Sequence, residues 1–165
     1  MYNRRVAKTH PRVETYGAVD ELNAALGLAR ATATEDFVRD SLLATQKELV
    51  TLMGELATVP EDRERYVKDG FALVDSAMTL RLEGLVKEIE AQKIAYKGWA
   101  TPGASVHSAA LDMARTICRR AERRVCELKE AGEVQNAEII VYLNRLSDLL
   151  WLMARWSERT EDKKI

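Results

Sequence analysis

The chain has 165 residues, enough for one domain with a sizeable core, and its 25 basic and 26 acidic residues leave a net charge of -1. That balance excludes a general nucleic-acid binder, whose affinity rests on excess positive charge. No apolar run approaches the roughly 18 residues of a membrane helix, and the opening MYNRRVAKTH lacks the apolar stretch of a secretion signal.

Eight glycines and three prolines are few, which favours long helices over a turn-rich β protein. Residues 1–16 are polar and read as a loop packed onto a scaffold. A first helix is predicted over about 19–33, with Leu22, Ala25, Leu26 and Ala29 inward. A second covers about 36–58, with Leu42, Leu43, Leu49, Leu52, Met53 and Leu56 at helical spacing. Residues 60–69 form a charged connector without hydrophobic period, and a third helix follows over about 72–93. The stretch 98–105, GWATPGAS, is a loop, because Pro102-Gly103 signals a turn. Ser105 is the expected N-cap of a fourth helix over about 106–131, which Gly132 ends. A fifth runs from about 136 to 159, and 161–164 fray. The fold class is therefore all-α, a five-helix antiparallel bundle in one domain spanning 1–165. Cys118 and Cys126 lie eight apart on the fourth helix, too far along its axis to bond each other, which fits a reducing cytoplasm.

The fourth helix carries the chemistry. Residues 114–124, ARTICRRAERR, hold five arginines (Arg115, Arg119, Arg120, Arg123, Arg124) and Glu122. At about 100° per residue, Leu111, Ala114, Cys118, Ala121, Val125 and Leu128 form one apolar stripe. Arg115 and Glu122 fall at its edge, Arg119 and Arg123 form the next row, and Arg120 and Arg124 point toward water. Guanidiniums at the border of a core are costly to desolvate and need an anionic partner. A polyphosphate would serve, and so would carboxylates of a neighbouring chain. On the fifth helix, Leu143, Leu146, Leu149, Leu150, Leu152, Met153 and Ala154 wrap most of the circumference and place it centrally. Its polar strip of Asn144, Asp148 and Arg155 must be hydrogen-bonded, either to the arginines of the fourth helix or to a ligand.

Five blocks occur in order: Arg5-Val6-Ala7-Lys8, RVETYGAVDELN over 12–23, Pro102-Gly103-Ala104-Ser105, ARTICRRAER over 114–123, and YLNRLSDLL from 142 with Ala154-Arg155 closing it. Together they resemble the PduO-type ATP:cob(I)alamin adenosyltransferases over nearly the whole chain. The resemblance implies a five-helix bundle assembling as a homotrimer, with active sites between subunits. It implies transfer of the 5′-deoxyadenosyl group of ATP to the Co(I) of cobalamin, with Mg2+, releasing triphosphate. It places Lys8, Arg119, Glu122, Arg123 and Asn144 on ATP, and makes Asp20 and Arg115 an inter-subunit ion pair that orders the site. A cobalamin reductase or an adenosylcobalamin-dependent enzyme would be the protein partner.

Three departures from the family pattern stand out. The family opens with a glycine-rich T-G-D-x-G-x-T segment that wraps the phosphates, whereas this chain opens at Met1-Tyr2-Asn3-Arg4-Arg5. The expectation is that Met1 is an internal methionine of a longer protein. The alternative is a corrinoid-binding or regulatory trimer that lost catalysis with the loop. Second, Trp99 stands where the family has a phenylalanine that packs under the corrin and displaces its lower ligand. Its other reading is a loop tryptophan covering the bundle end. Third, Asp112 stands where many members have histidine. A ferritin-like di-iron site fails, because neither His10 nor His107 follows a glutamate at the Glu-x-x-His spacing.

Overall fold

The computed structural model describes residues 2, 4–94 and 99–161. It contains α1 (Pro11–Thr32), α2 (Asp36–Leu56), a 3-10 turn (Pro60–Asp62), α3 (Arg63–Lys68), α4 (Ser76–Glu90), α5 (Val106–Glu130) and α6 (Glu138–Glu161). Among the described residues there is no strand. The five long helices fall where the periodicity puts them, and the differences lie at their ends and in the connector. Met1, the start of the predicted loop at Gly98 and most of the fraying tail lie outside the described residues.

The first helix begins at Pro11, well before the predicted start, so residues 11–16 are helix and not loop. The local chemistry explains it. The His10 imidazole Nδ1 accepts the Arg12 backbone N–H at 3.1 Å, and Pro11 occupies the first turn, where a missing N–H costs nothing. The connector over 60–69 is also not bare. It folds into the 3-10 turn and α3, because Tyr66 is buried at 3 % exposure and stacks on Phe71 with ring centroids 4.8 Å apart. Elsewhere the predicted capping holds. Ser105 and Ser108 form a reciprocal capping box at the start of α5, and Gly132, at φ +75°, ends it.

Helix directions follow from paired residues. Arg12 at the start of α1 donates to the Leu56 carbonyl at the end of α2 at 2.7 Å, Thr15 reaches the Arg124 carbonyl at 3.4 Å, and Arg155 reaches Asp112 at 2.5 Å. So α1 is antiparallel to both α2 and α5, and α5 to α6. The pair α4 and α6 is parallel instead: Thr79 bonds Glu138 near both starts, and Gln92 bonds Trp156 near both ends. The bundle is therefore antiparallel except at that one seam.

The core holds Leu22, Leu26, Leu42, Leu49, Leu52 and Leu56 of α1 and α2, and every residue of the predicted α5 stripe. Each fully buried leucine contributes roughly 1.5–3 kcal/mol. Leu43 is a correction: it turns outward at 37 % exposure, one helical step past Leu42. The α6 residues from Leu143 to Ala154 named above are all buried, so that helix is central. One end of the bundle is tied by Arg12, 4 % exposed. Its guanidinium donates to the Leu56 and Thr58 carbonyls at 2.7 and 3.1 Å and to Glu133 Oε2 at 2.6 Å. This joins the start of α1, the end of α2 and the loop before α6.

Candidate functional site

The α5 arginines sort into two flanks. Taking the fully buried Cys118 as the inward direction, Arg115, Arg119, Glu122 and Arg123 turn toward α6, whereas Arg120 and Arg124 turn toward α1. The α1 side is paired: Arg120 bridges Glu21, and Arg124 meets Glu127 at 3.0 Å and Glu14 at 3.9 Å. Arg120 and Arg124 are thus partly exposed and engaged with carboxylates, not simply facing water. On the α6 side, Arg119 and Arg123 are exposed and make no ion pair among the described residues. Next to them, Asn144 donates through Nδ2 to Glu122 Oε1 at 3.0 Å.

Behind this pair α5 and α6 are in close contact, since the Cys118 thiol donates to the Leu143 carbonyl at 3.2 Å. Burial first, then the Glu122 carboxylate, push that thiol far above its ordinary value, against the opposing pull of Arg119. It stays protonated and is no nucleophile. The polar strip of α6 bonds the acids of α5 and its own helix rather than the α5 arginines. Asn144 takes Glu122, Arg155 takes Asp112, and Asp148 accepts from Arg145 at 3.2 Å. Asp112 is the residue that sequence reasoning left without a role. The available signal was its spacing, three before Arg115 on the same helix flank.

The remaining predicted residues lie elsewhere. Lys8 is exposed and lines a groove with Glu14, Arg124 and Glu127, on the α1 side of α5. Asp20 is exposed, about 160° round α1 from the fully buried Leu22, and makes no ion pair among the described residues. Within one chain the structure does not bring Asp20 to Arg115, whose Nε instead bonds Asp112 at 3.1 Å. Trp99 is 99 % exposed, so it does not cover the bundle end. A separate cavity at the Arg12 end has its carboxylates committed within the fold: Glu133 to Arg12, and Glu55 to Asn136 and the Val74 N–H.

The chain is thus a helical-bundle protein in which two exposed guanidiniums, without an ion pair among the described residues, flank a hydrogen-bonded Glu–Asn pair. The comparisons name the family. The cobalamin adenosyltransferase family model matches residues 1–157, and the chain belongs to that family. The corrinoid adenosyltransferase PduO of Salmonella typhimurium is 39 % identical over 156 residues, 92 % of this chain and 44 % of that protein. The chain thus spans less than half the length of that relative. The corrinoid adenosyltransferase of Bacillus subtilis is 37 % identical over 92 % of this chain and 76 % of its own length. A variant of the PduO-type ATP:corrinoid adenosyltransferase from Lactobacillus reuteri, solved in complex with cobalamin and ATP, is also similar. It superposes with a TM-score of 0.83 at 32 % identity, over 95 % of this chain and 85 % of that one.

Proposed function

We propose that this protein transfers the 5′-deoxyadenosyl group of ATP to the Co(I) of a corrinoid such as cobalamin. The observation that carries this reading is Arg119 and Arg123, without an ion pair among the described residues, beside the Glu122–Asn144 pair in a chain of this family. Co(I) supplies the electron pair that attacks C5′. The cobalt–carbon bond forms, the C5′–oxygen bond breaks, and triphosphate leaves with its electrons. No general base is required. The protein's work is to align C5′ and to neutralise the leaving triphosphate, which suits fixed guanidiniums. Arg119, Arg123, Lys8, Glu122 and Asn144 hold the nucleotide.

The reading includes a homotrimer in which Asp20 of one copy meets Arg115 of the next. Its support is negative and positive together: Asp20 faces outward without a partner among the described residues, and Arg115 keeps donors free. Mg2+ enters with ATP. Among the described residues no group of three or more histidine, cysteine or acidic side chains is placed to hold a metal ion. No described helix is long and apolar enough to cross a membrane. A cytoplasmic setting and exchange with a cobalamin reductase or an adenosylcobalamin-dependent enzyme complete the proposal.

The test is direct. Purified protein, ATP, magnesium and chemically reduced cob(I)alamin should yield adenosylcobalamin and one triphosphate per turnover. Corrinoid binding without product would establish the binding-module alternative. Sedimentation as a monomer at micromolar concentration would remove the inter-subunit site.

Trp99 gives a second result. Trp99→Ala should leave helical content and melting temperature unchanged, because the side chain is 99 % exposed. If Trp99 faces the corrin, the same variant should lose the spectroscopic signature of four-coordinate Co(II) formed with ATP and cob(II)alamin. Adenosylation from pre-reduced cob(I)alamin should fall less than from cob(II)alamin, since removing the lower ligand assists reduction rather than attack on C5′. A full four-coordinate signal from the variant would exclude Trp99 from the mechanism.

A further inference from the structure

Asp112 is 3 % exposed, and its carboxylate spans two guanidiniums. Oδ2 accepts from Arg155 Nη2 at 2.5 Å, and Oδ1 accepts from Arg115 Nε at 3.1 Å. The Arg155 side is rigidly held. That side chain is also 3 % exposed, donates to Glu158 Oε1 at 2.9 Å, and lies 6.0 Å from the centre of the Trp151 ring. The Arg115 side opens outward, with a quarter of its side chain exposed and both Nη groups without a partner among the described residues. A guanidinium held at Nε keeps its two Nη donors as a free fork, matched to a bidentate carboxylate. A long side chain fixed in this way has already lost most of its rotamer freedom before any partner arrives.

We propose that Asp112 is a positioning residue: its carboxylate, anchored by Arg155, holds Arg115 by Nε so that both Nη groups are presented to a carboxylate of a neighbouring copy. This rests on the reading above, in which that carboxylate is Asp20 and the contact orders the site. Asp112, 3 % exposed, acts through Arg115. The structure thereby gives the third departure from the family pattern a role.

A double-mutant cycle separates this role from a merely structural one. Asp112→Asn keeps the side-chain size and one carbonyl acceptor while removing the charge. In the wild-type background it should weaken both subunit association, read by sedimentation equilibrium, and kcat/KM for ATP by about 10- to 100-fold. In an Arg115→Ala background the same change should cost less than about threefold, because the route is already cut. Equal losses in both backgrounds would overturn the proposal and leave Asp112 as a partner of Arg155 alone. Arg115→Lys tests it without touching the buried pair. Lysine keeps the charge but has no Nε donor and no fork, so it should associate nearly as poorly as Arg115→Ala, and wild-type association would overturn the proposal. If the wild-type protein associates but does not adenosylate, the enzyme reading fails, and the association cycle still decides the role of Asp112. A wild-type monomer would end both the interface and the positioning.

Discussion

Arg119→Ala is expected to lower kcat for adenosylation about 30- to 1000-fold, the cost of removing one charged donor from a leaving phosphate. Arg119 sits on the α6 flank of α5 and makes no ion pair among the described residues, while the nearby Glu122 carboxylate is engaged by Asn144, so the Arg119 charge is available to an anion. Arg120 is the informative control. It lies one residue away, carries the same charge, and bridges Glu21 on the α1 side. Arg120→Ala should change kcat less than about threefold, because an exposed ion pair contributes little. Arg124 is a poorer control, since it shares a groove with Lys8. Asn144→Ala should fall with Arg119→Ala, because it removes one proposed nucleotide contact and the amide that fixes the Glu122 carboxylate beside it. Equal losses from Arg119→Ala and Arg120→Ala would mean that overall positive charge on α5 matters and that no built site exists.

Arg155→Ala is expected to cost about 3–5 kcal/mol of folding stability, read from urea unfolding. Arg155 and Asp112 are each 3 % exposed, so removing the arginine strands a carboxylate where water cannot replace the lost donor. Arg115 still reaches Oδ1, which sets the loss toward the lower end of that range. For a chain of this size the melting temperature should drop by roughly 6–20 °C. The charge, not the volume, is responsible. An Asp112→Leu/Arg155→Met double variant should therefore recover most of the stability, since it replaces both members of the pair by apolar groups. A loss below about 1 kcal/mol for Arg155→Ala would show that the pair is solvated in solution.

Much of the bundle was legible in the sequence because its helices are amphipathic at a single period. The α5 stripe from Leu111 to Leu128 was correct at every position, and the rows of arginine beside it followed from the same angle. Legibility ended where local chemistry replaces periodicity. The start of α1 depends on one imidazole acceptor and one proline, neither of which disturbs a hydrophobic pattern. The helix α3 exists because Tyr66 finds Phe71 and the α2 surface, a tertiary reason absent from its charged sequence. The parallel seam between α4 and α6 is set by which helix pairs across the bundle, and a helix sequence carries no direction. For the site, the sequence gathers the arginines, but it cannot say which already have partners. The helical angle already puts Arg119 and Arg120 in different rows, but only the structure shows Arg120 paired with Glu21 and Asp112 meeting Arg115 and Arg155 together.

Lys8 and Asp20 lie on the α1 side of the chain, while Arg119 and Asn144 lie on the α6 side, and this division has a genetic consequence under the proposed ring of three. Every copy lends one half to each of two sites. A copy damaged on either face therefore spoils a site it shares with a healthy neighbour, and a faulty allele interferes with a sound one. The reverse also holds. Two inactive variants, one broken on the α1 side and one on the α6 side, regain intact sites when their subunits mix, at about a quarter of all interfaces for equal amounts. Inheritance at this locus would follow the interface rather than the polypeptide.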